Sequence, residues 1–191
     1  MQGGVGARKE RIEMVAAGAQ LAAAGVIVSG EGNLSIRIGP DRILVTPRGV
    51  DKGRLRAVDL VVMPLESAEI PRDASSEARL HAALYQRYPR INAVVHAHPP
   101  GVQALAARFE VPDVHLLAEG PELVDRIGWI GSYPAGSEEL AQAVAGGLED
   151  AQACVLAQHG AVAVGATMAI AMRRMFLLER LSRLTRSMLK S

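Results

Sequence analysis

"INAVVHAHPPG", residues 91–101, is an apolar run that ends in two histidines and two prolines. The apolar part reads as a buried strand, and Pro99 and Pro100 stop it. On a strand, residues i and i+2 point to the same face. His96 and His98 can therefore converge on one metal ion. By themselves they can equally be a strand-end cap and a solvated side chain.

Outward from this strand, helical and extended patterns interleave without a regular strand–helix alternation. Residues 8–24 read as helix, with Gly25 at its C-terminal end. "VIVSGEGNLSIRIG" (26–39) reads as strand, turn, strand. "DRILVTPRGVDKG" (41–53) is a short strand running into a Pro/Gly loop, and "DLVVMPL" (59–65) is another strand. "IPRDASSEARLHAALYQRYP" (70–89) is a loop entering a helix that Pro89 follows. "GVQALAARF" (101–109) is helical, and Ser137 opens a helix over "EELAQAVAGGLED" (138–150). "ACVLAQHGAVAVG" (153–165) reads as two strands around His159 and Gly160. A long helix runs from about Met168 to Lys190. Such a pattern predicts a mixed sheet covered by helices, not a doubly wound parallel fold. "GEGNLS" matches neither the dinucleotide fingerprint nor a Walker loop.

The chain of 191 residues suits a single domain spanning 1–191. Net charge of +1 and 49% hydrophobic residues describe an ordinary globular protein. Cys154 is the only cysteine, which excludes an intrachain disulfide and a cysteine-based zinc site. Residues 151–172 carry no formal charge, but Gln158, His159, Gly160 and Gly165 interrupt them, so a membrane span is not expected. Glu10, Glu13 and Gln20 make the first segment an amphipathic helix rather than a signal peptide. A cytoplasmic location is expected. The last helix is basic through Arg173, Arg174, Arg180, Arg183, Arg186 and Lys190. With a near-neutral chain and only 3% aromatics, a solvated face is expected there, not a nucleic-acid site.

Two residues shift the reading of His96 and His98. His159 lies between two apolar strands, where Gly160 allows a sharp turn. Glu77 stands at the start of a helix, where an acid also suits the helix dipole. Three imidazoles and a carboxylate form a normal ligand set for a catalytic divalent ion such as zinc. His81 shares the helix face of Glu77 and is assigned a packed or hydrogen-bonded role. His115 is a weaker candidate. Ser75 and Ser76, at a helix start, suit an anion or a simple cap. Asn33 and Gly49 lie in glycine-containing turns that let backbone N–H groups approach a ligand.

In series, "GEGNLSIR", "TPRGVDKGRL", "SSEARLHAALYQRYP", "VVHAHP" and "AQHGAVAVG" resemble the class II aldolase and adducin head family, from about Ile12 to Leu184. The resemblance implies a three-layer helix–sheet–helix sandwich around a mixed, largely antiparallel sheet. It implies metal ligation by His96, His98, His159 and Glu77, with zinc, manganese, cobalt or iron as the divalent ion. Glu77 also becomes the acid/base. Asn33, Gly49, Ser75 and Ser76 become the substrate phosphate pocket, to which Arg48 is added. The implied substrate is a small phosphorylated ketose cleaved through a metal-stabilised enediolate. Dehydration, decarboxylation, epimerisation or a non-catalytic interaction role are the alternatives. A homotetramer with sites at subunit interfaces is also implied. A metal-dependent amidohydrolase also uses His-x-His, but its barrel needs about 250 residues.

The sequence departs from the aldolase pattern at Arg48, where threonine is usual, and at Leu116, where the catalytic tyrosine would stand. It ends at Ser191 without the tail that carries a second tyrosine. For the aldehyde end of the substrate, Glu119, His115 or a neighbouring subunit's residue are the candidate acid/bases.

Overall fold

The computed structural model describes residues 7–67 and 69–189. Its centre is a seven-stranded sheet: β1 (Asn33–Arg37), β2 (Arg42–Val45), β3 (Val61–Pro64), β4 (Ala93–Ala97), β5 (Ile127–Ile130), β6 (Ala153–Leu156) and β7 (Gly160–Gly165). The order is β3-β2-β1-β4-β7-β6-β5. Every pairing is antiparallel except β5 with β6. The mixed, largely antiparallel sheet expected from the sequence is therefore present.

Helices cover both faces. On one lie α1 (Arg8–Ala23), α3 (Pro100–Ala106) and α6 (Met168–Met188); on the other lie α2 (Ala78–Arg87) and α5 (Glu138–Gly147). A single turn, α4 (Gly120–Leu123), leads toward β5. β4 is buried throughout, so its apolar run serves both cores, with Val95 facing α6 and Val94 facing α2 and α5. On the α6 face the central strands present Ala93, Ala97, Ala161 and Ala163. These small side chains leave room for Met168, Met172 and Met175 of α6, which is how a core with few aromatics is filled.

Two sequence expectations fail locally. Val26 and Ile27 are buried but do not form a strand. Gly25 takes a left-handed φ of 65°, and the Val26 N–H returns to the Leu21 carbonyl at 3.0 Å. This is the six-to-one bond that closes a helix, so the apolar residues fold back onto α1. β5 was not expected. It is a four-residue edge strand containing Gly128, too short to show alternation. The far end of the expected last helix, Lys190, lies outside the described residues.

Candidate metal centre

Antiparallel neighbours bring opposite strand ends together. The end of β4 therefore meets the starts of β1 and β7 and the end of β2. The loops bearing His98, Asn33, His159 and Gly49 thus share one end of the sheet. Asn33 is the register partner of His96. Thr46 ties the second loop to the first: its Oγ1 accepts from Leu34 N at 3.1 Å. Its carbonyl accepts from Ser75 N at 3.0 Å. The segment leading to Glu77 is thereby fixed to β2.

The four expected ligand residues come together. The three imidazole centroids are 4.8 to 5.0 Å apart. One ligand nitrogen from each lies within 4.8 Å of the others. Glu77 stands against them, with Oε2 3.1 Å from His96 Nε2 and Oε1 3.5 Å from His159 Nε2. His96 is fully buried and Glu77 nearly so, while His98 and His159 are partly open.

One backbone contact and neighbouring side chains orient the rings. His96 Nδ1 donates to the Ala161 carbonyl at 2.9 Å, which leaves Nε2 as a lone-pair donor facing the cluster. His98 Nε2 lies 3.2 Å from it, and Glu31 Oε2 is 3.5 Å from the opposite nitrogen, Nδ1. Gly160 is needed for approach rather than for turning. The positive φ of this turn belongs to Gln158, at 57°. A Cβ on Gly160 would press on the Ala97 carbonyl and sit 2.8 Å from His98 Cδ2.

The electrostatics suit a cation. Burial pushes the His98 imidazole down to about 4, with His96 and His159 acting in the same direction. Burial also lowers His159, and His96 adds to the effect. Burial works to raise Glu77, but His96 and the Asn33 amide outweigh it and hold the carboxyl well below its usual range. Glu77 Oε1 is buried without a hydrogen-bond partner. Imidazole nitrogens, two of them on rings that burial keeps from charging, and an unpartnered carboxylate oxygen converge on one point and fit a divalent ion of borderline softness.

The expected phosphate residues occupy the same sheet end with different exposures. Ser75 is buried, and its Oγ accepts from Glu77 N at 3.3 Å. Ser76, Arg48 and Gly49 are exposed, and Gly49 takes a φ of 67°. Arg48 and Ser76 line a cavity of about 500 Å³ together with Arg72 and Arg79. Asn33 is buried, with Nδ2 donating to Glu77 Oε2 at 2.9 Å. His81 takes the hydrogen-bonded role expected of it, bonded to Asn33 and Ser35.

His115 and Glu119 are not joined to the cluster. His115 is exposed, and Glu119 pairs with Arg180 of α6 at 2.9 Å. Leu116 packs onto the α6-side core. Sequence reasoning missed Glu31, Ser35 and Tyr85. The signal for the last two was available: Asn33 and Ser35 alternate on one strand face, while His81 and Tyr85 are four apart on one helix face.

A helix–sheet–helix sandwich carrying a three-imidazole, one-carboxylate cluster at a sheet end defines a metal-dependent enzyme. The chain belongs to the class II aldolase and adducin N-terminal domain family, which matches residues 12–185. This is a family of divalent-metal-dependent lyases acting on small phosphorylated sugars. The chain is 34% identical over 157 residues to a 3-oxo-tetronate 4-phosphate decarboxylase of Haemophilus influenzae, covering 80% of this chain and 75% of that protein. It is 34% identical over 165 residues to a 5-methylthioribulose-1-phosphate/5-deoxyribulose-1-phosphate aldolase of Rhodospirillum rubrum, covering 84% and 72%. L-fuculose-1-phosphate aldolase of Thermus thermophilus superimposes with a TM-score of 0.85 at 32% identity, covering 93% and 92%.

Proposed function

We propose that the chain is a single-domain aldolase that cleaves a small ketose phosphate between C3 and C4. The observation that carries this reading is Glu77 Oε1, buried, unpartnered and 3.5 Å from His159 Nε2. A carboxylate so placed is ready to ligate an ion or to exchange a proton with bound substrate. His96, His98, His159 and Glu77 would hold the ion, with zinc the first choice among zinc, manganese, cobalt and iron. When bound, the ion supplies Lewis-acid polarisation of the substrate carbonyl.

The chain's own residues divide the remaining work. Ala161 and Glu31 fix the His96 and His98 rings. Asn33 holds Oε2 of Glu77, which leaves Oε1 to move the proton at the substrate carbon. Ser75 Oγ, Ser76, the Gly49 backbone and the second amide hydrogen of Asn33 would receive the phosphate. Arg48 would add a charge-assisted contact from the arginine-lined cavity, worth about 1.5–3 kcal/mol. Neither His115 nor Glu119 bonds to the cluster, so the aldehyde-end acid/base would come from a neighbouring subunit of a homotetramer. No helix among the described residues is long and apolar enough to cross a membrane; the proposed setting is the cytoplasm.

A second reading is a sibling decarboxylation or dehydration on the same scaffold. It is favoured by Leu116 at the tyrosine position and by the Haemophilus influenzae decarboxylase, which is as similar as the Rhodospirillum rubrum aldolase. Product analysis of the metal-loaded protein on a panel of ketose and keto-acid phosphates separates them. A three-carbon ketone phosphate plus an aldehyde supports the aldolase. Carbon dioxide or a dehydrated sugar phosphate supports the sibling.

A further inference from the structure

Behind Glu77 a chain of buried polar side chains runs away from the metal centre into the α2-side core. Asn33 Nδ2 lies 2.9 Å from Glu77 Oε2, and Asn33 Oδ1 lies 2.5 Å from His81 Nε2. His81 Nδ1 is 2.6 Å from Ser35 Oγ, which is 2.9 Å from the Tyr85 hydroxyl. The single Tyr85 hydroxyl hydrogen is shared between Ser35 Oγ and the Ser35 carbonyl, the latter at 3.0 Å. All five residues are at most 6% exposed. We propose that His81, backed by Ser35 and Tyr85, is a positioning residue that fixes the Asn33 carboxamide so that its amino group faces Glu77. This rests on the reading of Glu77 as the proton-transfer group.

The direction of each bond follows from the carboxylate. An ionised carboxylate only accepts, so Asn33 must turn its NH₂ toward Glu77. Its carbonyl oxygen then faces His81 and needs a donor, so Nε2 carries the hydrogen. Full burial keeps this imidazole neutral, which leaves Nδ1 as an acceptor. Ser35 must therefore donate to it. A flipped Asn33 amide would set oxygen against the Glu77 carboxylate and would need the opposite His81 tautomer. Satisfying every member buries the network at little cost, whereas one missing partner leaves the rest unsatisfied. Two backbone periodicities make the alignment: alternate residues on β1 meet residues four apart on α2.

Two measurements on the full chain test this. The first is the His81 tautomer by imidazole ¹⁵N NMR of the labelled protein. Nε2–H with bare Nδ1 is expected; a hydrogen on Nδ1 overturns the proposal. Ser35→Ala leaves Glu77 and Asn33 in place and is expected to keep Nε2–H, and a hydrogen on Nδ1 in that variant also counts against it. The second is a kinetic double-mutant cycle between His81→Phe and Asn33→Ala. His81→Phe should lower kcat by about 10- to 100-fold, with KM and metal content little changed. In the Asn33→Ala background it should cost less than about a further twofold, because its effect passes through Asn33. Independent, multiplying losses would show a general packing defect and overturn the positioning role. If His81→Phe does not fold, Ser35→Ala takes its place in the cycle. Absence of turnover on every sugar phosphate would refute the proposed function instead, and the tautomer then decides the relay alone.

Discussion

Asn33 and His96 are register partners on neighbouring strands, and both reach the same carboxylate oxygen, Oε2 of Glu77, at 2.9 and 3.1 Å. One ladder rung thus carries both a metal-ligand candidate and the group that aims the acid/base. Asn33 holds Oε2 through its amide hydrogen, His96 Nε2 stands beside it, and Oε1 is left for chemistry.

Metal binding should be one ion per chain, since three imidazoles and one carboxylate make one shell. His96→Ala, His98→Ala and His159→Ala should each abolish tight binding, while circular dichroism still reports the native fold. Calorimetric titration with zinc or cobalt reads this directly. Undiminished affinity in any one variant removes that residue from the ligand set.

Glu77→Gln should lose turnover by a factor of about 10² or more, the usual scale for a general acid/base. Metal should be retained, because the three histidines remain. Near-normal turnover with normal metal content would take Glu77 out of the chemistry.

Arg48→Ala should weaken binding of a phosphorylated ketose about 10- to 150-fold, the equivalent of the charge-assisted contact. Binding of the unphosphorylated sugar should not change. If the wild type shows no preference for the phosphate, the pocket of Asn33, Gly49, Ser75 and Ser76 is wrong as a whole. If the preference survives the mutation, only Arg48 drops out.

Gly160→Ala should destabilise the chain by about 1–3 kcal/mol and weaken metal binding, because the new methyl meets the Ala97 carbonyl and the His98 ring. Urea melts and metal titration check both effects. Full metal affinity in a destabilised variant would show that His98 keeps its place without the close approach.

The metal-free protein should lose stability as pH falls from about 6.5 toward 3. Burial, with His96 beside it, lowers His81 to about 3 from its ordinary 6.5, against a smaller opposite pull from Glu77. Below 6.5 the unfolded chain takes up a proton that the native chain refuses. The contribution is fully present above that value and falls by at most about 1.4 kcal/mol per pH unit. Denaturant melts at pH 7.5, 6 and 5 should show this slope, to which the lowered His98 and His159 add, and His81→Phe should make it shallower by one group's share. An equal slope in that variant refutes the assignment.

The sequence by itself determined the strands beside His96 and His159, the helices around them and the identity of the four converging residues. Local chemistry is enough for these: periodicity, proline stops, a serine cap on α5 and ligand-type side chains. Motif order then supplied the family. Tertiary structure decided what depends on pairing across the sheet. Only the β1–β4 register sets Asn33 opposite His96, and only the packing of α2 on that face makes His81 and Tyr85 partners of Asn33 and Ser35. Val26 and Ile27 looked like a strand because buried apolar residues share one signature whatever backbone carries them. Gly160 looked like a turn residue, yet its lack of a Cβ serves contact with β4, two strands met from distant parts of the chain. Such contacts join residues 48 to 63 positions apart, and no local pattern encodes a distance between them.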